Sequence, residues 1–200
     1  MLIEGDPDLE YLKKISQRYG SKEFLILTYT PNDGMVSDTS INNLLSLKYK
    51  IQSLDWVHSV ITLLDIPLLN SSDAPLQERL QNFKTLKDED VDRERGFNEI
   101  LSSPVFRKFV ISEDGKTTGI IVNIKKNQNL DEIINKSRKE VETLKDQIKK
   151  QNHQNILEIR SIIQNYKQDA NIFLGGIPMI ADDMMTFIKN DIVVFGVGVL

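Results

Sequence analysis

A mixed α+β sandwich, with helices on one face of a mixed or antiparallel sheet, is the fold the sequence predicts, and three observations carry it. Strand-forming and helical runs alternate as β-α-β twice, over about residues 22–66 and 105–176. The stretch between them, residues 67–104, breaks the pattern with Pro67, Pro75 and a cluster of charge, and reads as a helical insertion. The composition, 40% apolar and 27% charged over 200 residues, suits one globular domain that buries about 70% of its extended surface.

Each element has its own signal. Asp6-Pro7 opens a first amphipathic helix, with Leu9, Leu12, Ile15 and Tyr19 at helical spacing and Gly20 closing it. Residues 23–30 are rich in strand formers and run into Pro31-Asn32-Asp33-Gly34, a turn. From Asp38 the period becomes helical through Ile41, Leu44, Leu45, Tyr49 and Ile51, and residues 56–64 read as a second strand. In the insertion, Val91, Phe97, Ile100 and Leu101 mark one or two short helices. The acidic Asp88-Glu89-Asp90 reads as a solvated helix start rather than a cation site.

The second half is predicted to open with a hairpin. Residues 105–111 and 116–124 flank Ser112-Glu113-Asp114-Gly115, where Asp-Gly supplies the positive φ of a tight turn. Asn129-Leu130-Asp131-Glu132 resembles a capping box, and the helix it opens carries Ile133, Ile134, Val141, Leu144 and Ile148 on one face. That face pauses at residues 149–155 and resumes at Ile156, Ile159, Ile162, Ile163 and Tyr166, which leaves one long helix or two with a hinge. Residues 171–174 form a last strand, Gly175-Gly176-Ile177-Pro178 a tight bend, and residues 179–189 a further helix. Two β-α-β units of this kind are the ferredoxin-like, split β-α-β arrangement.

The last nine residues, 192–200, carry no polar side chain. Nine residues cannot span a bilayer, which takes about 20. They read as the start of a truncated transmembrane helix, because Gly196 and Gly198 weaken a strand interior yet are ordinary in membrane helices. A buried terminal strand is the alternative, since Val, Ile and Phe favour sheets. No secretory leader opens the chain, where Glu4-Gly5-Asp6-Pro7 follows three residues in.

Several function classes lose their footing on composition. Twenty-five basic against 29 acidic residues give a net charge of −4, so no basic excess points to nucleic acid. Without cysteine there is no disulfide, thiolate nucleophile or thiolate metal site. Only His58 and His153 supply imidazole, and His153 reads as a surface residue with nothing acidic beside it to orient the ring. No nucleophile elbow, phosphate loop or His-Glu-x-x-His occurs, and Gly196-Val197-Gly198 lacks a dinucleotide context. Asp182-Asp183 is the best residual pair for acid/base or metal work, in the form of a metal-assisted hydrolase that adds one histidine. Neighbours on a helix diverge by about 100°, so the two do not share a face. The expectation is therefore a chain that is not an enzyme, with no cofactor, no metal and no catalytic residue.

Gly5-Asp6-Pro7-Asp8-Leu9-Glu10-Tyr11, the turn Ser112-Glu113-Asp114-Gly115 with Lys116-Thr117-Thr118-Gly119-Ile120-Ile121-Val122, and Gly175-Gly176-Ile177-Pro178 leading through Asp191 into an apolar run together resemble a known arrangement. In this order they are similar to the first large extracytoplasmic loop of resistance-nodulation-division (RND) exporters, in the branch of the mycobacterial large membrane proteins and the hopanoid transporters. The resemblance covers about residues 5–200. It implies a porter-type domain over residues 1–191 between the first and second of about twelve membrane helices, with residues 192–200 entering the second. It further implies a proton-driven inner-membrane transporter of hydrophobic or lipid-like molecules, this segment being periplasmic. Its partners would be the remaining membrane helices, the second periplasmic loop, a lipid-like substrate and, in some assemblies, further copies of itself. The proton-carrying carboxylates of the family lie in membrane helices, and Asp191 is not one of them. No substrate-binding residue is carried over by motif. A membrane-anchored periplasmic interaction or sensor module is the alternative.

Overall fold

The computed structural model describes residues 23–70, 83–125 and 138–198. The first amphipathic helix, the capping box at Asn129 and part of the insertion lie outside these residues. Within them stand four strands, β1 (Phe24–Pro31), β2 (Val57–Ile61), β3 (Thr118–Ile124) and β4 (Ala170–Gly175). The helices are α1 (Asp38–Gln52), α2 (Arg93–Ser102), α3 (Arg138–Gln164) and α4 (Ile177–Gly198). The architecture is α+β, with one sheet in the order β2-β3-β1-β4 and every pairing antiparallel. Each β-α-β unit therefore leaves one strand's width between its two strands, and a strand of the other unit fills it.

Alternation along β1 decides which face is covered. Leu25, Leu27 and Tyr29 are fully buried, and they join Ile120, Val122 and Ile172 of the neighbouring strands in one core. Ile41, Leu44, Leu47 and Ile51 of α1 and Ile156, Ile159 and Ile163 of α3 complete that core from above. Tyr29 donates its hydroxyl hydrogen toward the Ser40 carbonyl at 3.4 Å, and burial pushes its ionisation up to about 12. α1 starts where expected, because Ser37 caps it by accepting from the Ser40 amide at 3.1 Å.

The second strand is shorter than the sequence suggests. Thr62 ends β2 by opening a single 3₁₀ turn, Leu63–Asp65, in which its hydroxyl accepts from the Leu64 amide and Asp65 accepts from the Thr62 amide at 2.8 Å. A capping box has taken the backbone groups that a longer strand would have paired. In the insertion, α2 begins at its Asp92 cap rather than at the acidic cluster. Asp88 instead closes a turn on the amide and hydroxyl of Thr85, and Asp90 pairs with Lys84 at 2.9 Å.

The expected hairpin is half formed. Gly115 adopts φ +69° at the turn and β3 follows it, but residues 105–111 are not a strand. Their amides are engaged in tight turns, Arg107 to the Ser103 carbonyl at 3.0 Å and Val110 to that of Phe106 at 2.8 Å, with Lys108 in the left-handed region. What joins β3 from this segment is an isolated bridge between Ile111 and Thr118. The second unit is thus β3-α3-β4 without an extra strand. Its helix is continuous across the polar patch, which settles the choice between one helix and two. α4 likewise continues through the apolar residues to Gly198, so the terminal strand reading does not hold.

Candidate functional site: the cleft between α3 and α4

The site begins with how β4 becomes α4. Gly176 lies at φ +122°, and a Cβ there would stand 2.9 Å from the Phe24 carbonyl oxygen. Only glycine fits this bend on both counts. Pro178 then sits in the first turn of α4, where its missing amide costs nothing, and its carbonyl accepts from the Asn152 side chain at 2.9 Å. Met179 packs against the core, so the foot of α4 is anchored to the domain.

Two further contacts lock α4 to α3. His153 Nδ1 lies 2.9 and 3.1 Å from the two carboxylate oxygens of Asp182, which is 8% exposed. Arg160 reaches both oxygens of Asp183 with one guanidinium nitrogen at 2.8 Å. This corrects the reading of His153 as a surface residue without an acidic neighbour. The neighbour comes from 29 residues further along the chain, on a different helix, and no local spacing foretells it. As expected from the angle between adjacent helical residues, Asp182 and Asp183 point to different partners.

The two helices leave a cleft of about 860 Å³ between them. From α3 it is lined by Asp146, Lys149, Lys150 and His153 at spacings of three, four and seven residues. From α4 it is lined by Ala181, Asp182, Met185 and Lys189. The pause in the apolar pattern of α3, residues 149–155, supplies most of the α3 side of this lining. Lys149, Lys150, Asn152, His153 and Gln154 of that patch line the cleft, and Gln151 donates to Asn155, itself largely buried, at 2.9 Å.

A hydrolase built on Asp182, Asp183 and a histidine would need all three to converge. His153 and Asp182 do, whereas Asp183 turns to Arg160. His58 sits on the edge strand at the β2 bulge, exposed, with no hydrogen bond to the pair. Among the described residues no group of three His, Asp or Glu side chains is placed to hold a metal ion.

Two apolar surfaces lie outside the cleft. The sheet face opposite the helices presents Phe24, Ile26, Ile61 and Phe173, from 40% exposed at Ile26 to 69% at Phe173. Cross-strand register places Ile26 beside Ile121, Ile121 beside Ile61, and Thr28 beside Phe173, so these side chains form one patch. Past Lys189, α4 carries Ile192, Val193, Val194 and Phe195, each at least 62% exposed. No helix among the described residues is long and apolar enough to cross a membrane. The chain matches no protein-family model and, at a significant level, no curated protein.

Proposed function

We propose that this chain is the extracytoplasmic porter domain of a proton-driven RND-type exporter of the inner membrane, contributing to the path or binding of a hydrophobic or lipid-like substrate. In this reading the domain has no catalytic activity, cofactor or metal of its own. Its partners are the membrane helices and second periplasmic loop of the same transporter, with further copies of the chain possible.

The observation that carries the reading is α4. One helix runs unbroken from a foot bolted to α3 by Asn152, His153 and Arg160 into an exposed apolar end. Exposed apolar side chains in this number are costly in water, at about 25 cal/mol per Å², and become favourable in hydrocarbon. A rigid helix joining domain to bilayer would transmit movement of one to the other. The strand order β2-β3-β1-β4 agrees with a ferredoxin-like split β-α-β fold, the type the sequence resemblance implies.

The apolar sheet face supplies the substrate-facing surface in this reading, with Phe173 and Ile26 at its centre. The test is equilibrium binding of a fluorescent fatty-acyl analogue to the purified 200-residue chain and to a Phe173→Ser, Ile26→Ser variant. Saturable binding at micromolar concentration, weakened about tenfold in the variant, is the expected result. Absence of saturable binding by the native chain removes the substrate-path role. The same patch also suits protein docking, which keeps a membrane-anchored interaction module as the second reading. That module would bind a protein partner through Phe173 while ignoring the lipid.

A further inference from the structure

Within the α3–α4 cleft the charges do not balance. Asp146 is paired with Lys149 at 3.5 Å and Asp182 with His153, so both carboxylates lining the cleft are already partnered. Lys150 and Lys189 line the same cleft from opposite helices, and among the described residues no carboxylate lies within ion-pairing distance of either. Asn190 and Thr186 add neutral donors beside them, and Ala181 and Met185 give the α4 wall an apolar portion. Two ammonium groups without an ion-pair partner among the described residues, lining one cleft from two helices, are the elements of an anion site of the phosphate-binding kind.

What lies next to it narrows the ligand. Ile192 and Val193 are three and four residues beyond Lys189 and so share its side of α4, about 5 Å further along the axis. A molecule with its negative group between Lys150 and Lys189 has its remainder against exposed isoleucine, valine and phenylalanine. That is the build of an amphiphile rather than of a soluble anion.

We infer that the α3–α4 cleft binds the phosphate of an anionic glycerophospholipid, with Lys150 and Lys189 as its cationic clamp and the acyl chains laid along the apolar end of α4. The inference rests on the porter reading in placing that end at a bilayer. The chain as a whole carries a net charge of −4, so general attraction opposes an anionic surface and any preference for one must come from a local site.

The experiment is flotation of the 200-residue chain with vesicles of phosphatidylcholine alone or with 30% phosphatidylglycerol, at matched ionic strength. Binding about tenfold tighter to the phosphatidylglycerol vesicles is expected, with about fivefold lost for each of Lys150→Gln and Lys189→Gln. The double variant should keep its binding to phosphatidylcholine, whereas a Lys87→Gln, Lys108→Gln control on other surfaces should keep the preference. Equal binding to both vesicles, or a preference that survives in the double variant, overturns the inference and leaves the porter reading standing. If inorganic phosphate at 20 mM erases the preference, the cleft is a free-phosphate site and the lipid assignment is wrong. Failure to bind either vesicle overturns both readings, because the apolar end of α4 then has no affinity for a bilayer.

Discussion

Asp182 stands on a helix, almost wholly shielded from water, and its hydrogen-bond partner is a histidine from another helix. Removing a partner from a buried polar group leaves its desolvation uncompensated, which costs more than the bond itself contributes. His153→Ala should therefore destabilise the domain by about 1–2 kcal/mol, the lower part of the range because the imidazole is half exposed. Arg160→Ala, which breaks a more exposed pair, should cost under about 1 kcal/mol. Thermal melting of the two variants side by side checks the order, and equal losses would show that the burial of Asp182 carries no weight. Gly176 is the other residue at which one atom matters. Gly176→Ala meets both an unfavourable φ and the Phe24 carbonyl, and should lower stability by about 2–3 kcal/mol, read as a drop in the urea midpoint.

At the level of elements, the junction between β2 and the insertion has a built-in acid sensitivity. Burial alone would raise the Asp65 carboxyl, but hydrogen bonds from Lys48 and from the amide and hydroxyl of Thr62 outweigh it and hold the group below its ordinary value. A carboxyl depressed in the fold contributes stability above its unfolded value of about 3.9, and that contribution is lost as pH falls through the folded value. Urea midpoints measured from pH 6 down to pH 2 should fall below pH 4, and an Asp65→Asn variant should show a shallower fall from a lower starting stability. Parallel curves would detach the turn from the acid response.

The elements also show what local sequence can and cannot reveal. β1, α1, β3 and β4 were legible because each buries one face, and burial imprints a period of 2 or 3.6 on the residues. Residues 105–111 have the composition of a strand, yet their backbone closes turns on Ser103 and Phe106, a choice made by hydrogen bonding that composition does not record. The polar patch at residues 149–155 was visible as an interruption of the apolar face. Its meaning was not, because the α4 residues that answer it are brought there by the Gly176 bend and by the packing of Met179.

For the whole molecule the unequal treatment of the two sheet faces is the feature with the widest consequences. One face holds the core, where truncating Leu27 should cost about 2–5 kcal/mol. The other leaves Phe24, Ile26, Ile61 and Phe173 in water, and α4 adds a second apolar surface at its far end. Scattered exposed apolar residues are normal, whereas contiguous ones mark contact surfaces. The two surfaces can be separated by an environment-sensitive dye that fluoresces on apolar protein surface. Phe173→Ser with Ile61→Ser should shift the urea midpoint by no more than about 1 kcal/mol, since both side chains are close to half exposed or more. The same change should remove a large part of the dye signal. Val193→Ser with Phe195→Ser should remove a separate part, and the two losses should add, because the patches lie on different elements. Losses that fail to add would mean that α4 and the sheet face form one continuous surface, and a substrate could then pass from one to the other without crossing water.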